Sequence, residues 1–352
     1  MTKKALLTSV TSQDSIYLID LLINKGYQIH GIVRRGIDLK NLLINSSNLK
    51  KDKITLHYGD LTDGLSLIQI IKQVQPDEIY NLGAQTHVAI SFKNPEYTAN
   101  VNSLGTLRIL EAIRTLGLIR KTKIFQASTA EIFAPSVTHQ DETSPFHPKS
   151  PYAVSKLFSY WSIINYRESY DMFACNGILY NHESPLRGEN FVTRKITRTL
   201  TQIKLGLKDC LFIGNVDAAR DWGHAKDFVE AEWMMLQQEH PSDYVIATGE
   251  KHSVKDFILL TATLLDLKLS WEGSGITTKA IDQEGICRIA VDPNFYRPLE
   301  HEISFGNPAK AKQKLGWQPK TKFEDLVKEM TLADLKLAEK ELDSNVKRKI
   351  FC

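Results

Sequence analysis

The sequence predicts an α/β protein: a Rossmann-type, doubly wound parallel sheet followed by a smaller, mixed α/β C-terminal part. Three observations predict it. Short apolar runs alternate with longer amphipathic stretches through the first half, polar or glycine-bearing turns follow the apolar runs, and beyond residue 180 the alternation gives way to helices with irregular segments between them. Strand–helix alternation implies crossover connections, hence parallel strands with helices on both faces. Ligands of such sheets bind outside the carboxyl ends of the strands. The chemistry is therefore expected just after each apolar run.

The elements follow in order. Lys4 to Thr8 reads as a buried strand, and Ser15 to Lys25 as a helix packed on one face and stopped by Gly26. Strands are expected at Tyr27 to Val33, Ile54 to Tyr58, Glu78 to Tyr80 and Thr122 to Gln126, with helices at Gly64 to Val74 and Tyr97 to Leu116. Ala174 to Leu179 is a sixth strand. Helices then follow at Val192 to Gly206, Ala225 to Gln238, Val254 to Leu265 and Phe323 to Glu341, and Lys336 to Lys349 reads as a solvated helix and tail. This divides the chain into a dinucleotide-binding part, residues 1–180, and a mainly substrate-binding part, residues 181–345, some of whose segments return to the first.

Composition narrows the function classes. A chain of 352 residues with 42% hydrophobic and 24% charged residues can bury a large core, which excludes a disordered or collagen-like polymer. A net charge of +3 supplies no field for a polyanion, so nucleic acid is not an expected partner. No run of 18 apolar residues occurs, no secretory leader is recognisable, and the four cysteines form no C-x-x-C pair. A reduced cytoplasm is expected, with no membrane partner and no metal. Glycine is sparse, 19 residues where about 25 is ordinary at this length.

The turn after the first strand reads Thr8-Ser9-Val10-Thr11-Ser12-Gln13-Asp14-Ser15, the spacing of a dinucleotide-binding loop with serine at each glycine position. Glycines there allow a tight turn and close approach of backbone to pyrophosphate. A Cβ at each position restricts φ and occupies space, so weakened cofactor binding is expected. Arg34 and Arg35 after the second strand suit a 2′-phosphate, pointing to NADP rather than NAD. Gly59-Asp60-Leu61 and Asn81-Leu82-Gly83-Ala84 are the corresponding turns after the third and fourth strands.

Tyr152 and Lys156 stand four apart in SPYAVSK and share a helix face. An ammonium beside a phenol favours phenolate, which makes the tyrosine a usable base. Upstream, QASTAE sets Thr129 and Glu131 just past a strand, a hydroxyl donor and a carboxyl acid or base. The stretch from Asn181 to Lys195, with Arg220 and Arg297, is rich in donors suited to an anionic, hydroxylated ligand.

Together these residues resemble the GDP-mannose 4,6-dehydratases, members of the extended short-chain dehydrogenase/reductase group. The likeness runs over roughly residues 3 to 340 and includes HYGDL, NLGA, QASTAE, SPYAVSK, NYRESY, NHESP, RGENFVTRKI, RDWGHAKD, WMMLQQE and YRP. It implies an NADP-dependent internal redox elimination on GDP-mannose, with Thr129, Glu131, Tyr152 and Lys156 as the catalytic set. It further implies cofactor contacts from Ser9, Ser12, Gln13, Asp14, Arg34, Asp60, Leu61, Leu82, Ala84, Tyr152, Lys156, Leu179 and His182. GDP-sugar contacts are implied from Asn181, Lys195, Arg220, Arg297 and Glu300, and a homodimer or homotetramer as the assembly. Where the family has glycine, positions 9, 12 and 15 are serine and position 134 is alanine, and the family's longer loop is not recognisable in residues 36–53. Two other readings stay open at this point: a non-catalytic paralogue that holds GDP-sugar without dinucleotide, and the same dehydration on a GDP-manno-heptose.

Overall fold

A computed structural model describes residues 2–36, 53–134, 136, 138–295 and 303–351. The YRP run with Arg297, Glu300, and the segment 37–52 lie outside the described residues. The centre is a seven-stranded sheet, every pairing parallel. Its strands are β1 (Lys4–Leu7), β2 (Gln28–Val33), β3 (Ile54–Tyr58), β4 (Glu78–Asn81), β5 (Lys123–Ala127), β6 (Ala174–Leu179) and a seventh, Tyr244–Ile246. The order is β3-β2-β1-β4-β5-β6 and then Tyr244–Ile246, so the winding reverses between β1 and β4. A crevice opens at that switch point.

Both faces of the sheet are packed, as the alternation predicts. Leu7, with Leu18, Ile29, Phe125, Phe228 and Val245, belongs to one core, while its neighbour Leu6, with Leu67, Ile79, Ile109 and Ile124, belongs to the other. Successive strand residues point to opposite sides, so β1 feeds both cores. A third core gathers Ile196, Leu200, Trp222, Phe257, Phe323 and Val327 in the C-terminal part.

Local chemistry sets the helix ends. Ser12 caps the helix Gln13–Asn24, its side chain accepting from Ser15 N, and Gly26 at φ +82° lets the chain turn back. Asp63 caps Gly64–Val74, whose C-cap, Gln75, adopts the left-handed conformation. Ser150 caps the helix Pro151–Tyr170, with proline at the first helical position where its missing N–H costs nothing.

One expectation is revised, and one strand was not foreseen. The helix expected over Tyr97 to Leu116 is three pieces, Pro95–Ala99, a π-helical turn Asn100–Leu104, and Gly105–Thr115. Buried Asn102 accounts for the wide turn: its side chain accepts from Gln85 N and donates to Gln85 O and Ser155 Oγ, fixing the helix to two neighbours. Secondly, Tyr244–Ile246, which has only three residues and no readable period, completes the sheet from beyond residue 180. The helix before it, Ala225–Leu236, packs on Gln13–Asn24 and on β5 and β6. No helix among the described residues is long and apolar enough to cross a membrane.

Candidate functional site

The site is assembled at the carboxyl ends of β1, β4, β5 and β6. Past β5, Thr129 caps a single 3-10 turn, Ala130–Ile132, accepting from Glu131 N. Thr129 is buried and Glu131 half-buried. Tyr152 and Lys156 stand in the first two turns of Pro151–Tyr170, both almost wholly buried. Lys156 Nζ donates to Ala127 O at 2.8 Å, which ties the helix to the end of β5. The helix is held further by Ser103 Oγ donating to Ser155 O, and by the Arg167 guanidinium gripping Asp243 beside the seventh strand.

Thr129 and Glu131 both act on the Tyr152 phenol. Burial pushes the Tyr152 phenol up to about 12; the Thr129 hydroxyl and Arg187 pull it down, and Glu131 pushes it further up. Lys156 is not among the groups that lower it. Burial brings Lys156 itself down to about 8, and its ammonium donates to a backbone carbonyl.

At the first turn the serines knit together. Ser15 Oγ donates to Ser9 O at 2.6 Å and lies 2.8 Å from Ser12 Oγ, while Ser15 N donates to Ser12 Oγ. Among the described residues, positive φ outside glycine occurs only at Gln75, Asp171 and Asp266. The turn therefore needs no left-handed residue, and the expected restriction of φ by the serine Cβ atoms does not arise. The space their side chains fill remains.

Three of the expected cofactor contacts have their side chains engaged elsewhere. Gln13 donates to His182 O and accepts from Ser184 Oγ, using both ends of its amide. The Asp14 carboxylate meets His182 Nε2 at 3.0 Å, and His182 Nδ1 meets Tyr180 O at 2.7 Å. Burial opposes both charges, yet the pairing wins: His182 is held above its ordinary value, and His182 with Arg187 holds Asp14 below. These side chains lock the loop after β6 to the first helix. Sequence spacing could not disclose a partnership across 168 residues.

The remaining residues lie around the crevice. Arg34 is exposed at the end of β2, with Nη1 on the Tyr97 hydroxyl, and Asp60 Oδ1 accepts from Thr62. Leu61, Leu82 and Leu179 are buried, and Ala84 follows the tight Gly83 turn, where a Cβ would press on Leu61 and Thr8 O. On the other lobe, Asn181 is in the strand Asn181–Glu183 beside Trp222–His224, and Arg220 is in Ala219–Arg220 with Nη1 on Ala219 O. Lys195 Nζ lies 3.6 Å from the Phe295 ring centroid.

Two contributors escaped the sequence reading. Arg187, within the RGENFVTRKI run, reaches Tyr152, Asp14 and His182 electrostatically while paired with Glu183 at 3.1 Å. Asn102 gave no signal, since nothing in its sequence neighbourhood distinguishes it from a surface helical asparagine.

A seven-stranded parallel sheet that reverses at β1/β4, with tyrosine and lysine on the helix after β5, defines an extended short-chain dehydrogenase/reductase enzyme. A family model described as GDP-mannose 4,6 dehydratase matches residues 6–330. The chain belongs to that family and is a dehydratase, a hydro-lyase. The GDP-mannose 4,6-dehydratase of Vibrio cholerae is 51% identical over 356 residues, covering 97% of this chain and 96% of that protein. Among solved structures, the fold matches dTDP-glucose 4,6-dehydratase from Bacillus anthracis in complex with NAD (TM-score 0.77, 20% identity, covering 96% of this chain and 98% of that one). It also matches RMD from Pseudomonas aeruginosa complexed with NADPH (TM-score 0.72, 20% identity, 95% and 100%).

Proposed function

We propose that this protein converts GDP-mannose to GDP-4-keto-6-deoxymannose, using NADP. The observation that carries the reading is the gathering of Thr129, Glu131, Tyr152 and Lys156 at the end of β5, within a chain half identical to a GDP-mannose 4,6-dehydratase.

The crevice fits a dinucleotide. At the start of Gln13–Asn24, Ser15 N is taken by Ser12 Oγ, and the N–H groups of Gln13 and Asp14, which precede the first intrahelical bond, suit a pyrophosphate. Arg34, exposed at the end of β2, suits a 2′-phosphate, which favours NADP over NAD. Ser128 Oγ, buried without a partner and next in the chain to Ala127, whose carbonyl holds Lys156, is a polar atom awaiting one at the nicotinamide end. NADP⁺ held there supplies a hydride acceptor for C4 and a donor for C6.

The residues do the rest. Tyr152 removes the C4 hydroxyl proton, with the Thr129 hydroxyl and Arg187 opposing the burial that raises its phenol, while Lys156, held at Ala127 O, would orient the nicotinamide ribose. Thr129 donates a hydrogen bond to the C4 oxygen, which holds it in line with the phenol. The C4 ketone makes the C5 proton acidic; Glu131 takes it and passes it to the departing C6 hydroxyl, released as water, and C5 regains the proton that Tyr152 took from the C4 hydroxyl as C6 is reduced. Asn181, Lys195 and Arg220 hold the GDP-sugar, with Arg297 and Glu300 completing the set.

The assembly is read as a homodimer, or a tetramer built from it. Val154, Phe158 and Trp161, spaced four and three along one helix face, are 55%, 45% and 53% exposed, and Phe92 and Leu104 on the adjoining segment are exposed too. A second copy of the same face covers such a stripe. The cytoplasm remains the expected compartment.

Incubation with GDP-mannose and NADP⁺ tests the activity. A 4-keto-6-deoxy product is expected, and Glu131→Gln should slow its formation by roughly 10²–10⁴-fold while leaving substrate binding intact. No product from the unsubstituted protein overturns the reading.

A further inference from the structure

Four cysteines are scattered through the chain, and the fold brings two of them together. Cys210 stands immediately before the strand Leu211–Ile213, and Cys287 opens the strand Cys287–Val291; these strands run parallel, with Ile289 opposite Leu211. In an unbroken strand, residues two apart share a face. Cys287 would then lie with Ile289 and Leu211, on the face opposite Cys210. The register on the other side of the strand breaks that pattern. Ala280 pairs with Ile289, but Ile281 pairs with Cys287, so Arg288 is the extra residue of a β-bulge. The bulge turns Cys287 to the face of Cys210, so the two thiols adjoin, each donating to a backbone carbonyl nearby, Cys210 to Leu211 O and Cys287 to Ile289 O.

The surroundings suit a covalent link. Arg288 is held by Asp282 at 2.6 Å, which fixes the bulge, and both thiols are half-buried, within reach of small solutes. Positions offset by one residue on neighbouring strands lie roughly 5–6 Å apart between Cα atoms, inside the span that a disulfide bridges.

We propose that Cys210 and Cys287 form a reversible redox pair, closed to a disulfide by hydrogen peroxide and reopened by thiols. The Cys287 thiolate attacks one peroxide oxygen; the O–O bond breaks, leaving a sulfenic acid on Cys287 and a hydroxide that takes up a proton as water. Cys210 sulfur then attacks the sulfenic sulfur, the S–O bond breaks, and the oxygen leaves as a second water with the Cys210 proton. Two electrons pass from the two thiols to the peroxide, and a dithiol reverses the bond by exchange. Burial and the adjoining Cys287 sulfur push the Cys210 thiol up to about 11, which fits it for the second step rather than the first. Cys175, buried and pushed up to about 12, takes no part. The same two strands lead on to Gly214 and to Phe295 under Lys195, so closure fixes the register of that corner.

The test is exposure of the full-length protein to hydrogen peroxide, then thiol blocking, digestion without reductant and mass mapping. A linked peptide joining Cys210 to Cys287 is expected, with thiols counted after denaturation falling from four to two and restored by dithiothreitol. Cys210→Ser should instead carry sulfinic acid at Cys287. Sulfinic acid at Cys287 of the unsubstituted protein without a linked peptide, a link through Cys352 or between two chains, or survival of all four thiols overturns the proposal.

Discussion

Restoring glycine at positions 9, 12 and 15 sets stability against cofactor affinity, and the two effects can be sized separately. Ser15 Oγ makes one hydrogen bond to Ser9 O and one to Ser12 Oγ, together worth about 2 kcal/mol at about 1 kcal/mol each. Glycine inside the helix costs a further 0.5–1 kcal/mol or so, and Ser12 to glycine at the cap only a few tenths, roughly. The triple variant should lose about 3 kcal/mol, a fall in Tm of roughly 4 °C at about 1.4 °C per kcal/mol for a chain of 352 residues. With three side chains gone the backbone approaches the pyrophosphate more closely, so NADP⁺ should bind on the order of ten times more tightly, about 1.4 kcal/mol. Differential scanning calorimetry and titration calorimetry read the two quantities. A variant that melts with the parent refutes the account of the serine network, and one whose affinity is unchanged shows that the loop tolerates three side chains beside the ligand.

Lys156→Met should abolish turnover while stabilising the fold. The drop from 10.5 to about 8 places about 3 kcal/mol of penalty on the buried ammonium, offset by about 1 kcal/mol for the bond to Ala127 O. A gain of about 2 kcal/mol is expected near pH 7 by chemical denaturation, and a loss of that size overturns the reasoning. Because the folded state releases this proton before the unfolded chain does, the penalty is complete below pH 8 and fades towards 10.5. Parent stability should therefore rise relative to the variant across that window. Trp161→Glu should put a charge into the exposed stripe on Pro151–Tyr170 and convert dimer to monomer in sedimentation velocity, and a variant that sediments with the parent refutes that interface.

The strands of the first half were legible because each is a short, largely apolar or β-branched run with turn chemistry beside it. Ile54–Tyr58, Gly64–Val74 and Ala174–Leu179 fall where the sequence predicts them. Tyr244–Ile246 was not, since three buried residues carry no period. The wide turn at Asn102 depends on hydrogen bonds to distant backbone, and the meeting of Cys210 with Cys287 depends on a bulge; neither leaves a local trace. At the site, motif spacing brought Thr129, Glu131, Tyr152 and Lys156 forward, but the proton affinities of Tyr152 and Lys156 follow from desolvation, which only packing decides. Gln13, Asp14 and His182 stood in the right stretches, with side chains turned to one another.

The last strand of the sheet has a consequence for how the chain is made. β6 is complete at Leu179, yet its outer edge stays unpaired until Tyr244–Ile246 has been synthesised. Arg167 on the catalytic helix likewise waits for Asp243. A nascent chain ending near residue 180 thus presents a bare strand edge, the kind of surface that recruits another chain. Vectorial synthesis cannot bank the first half as a finished unit; the catalytic helix is secured late, when residues 243–246 arrive.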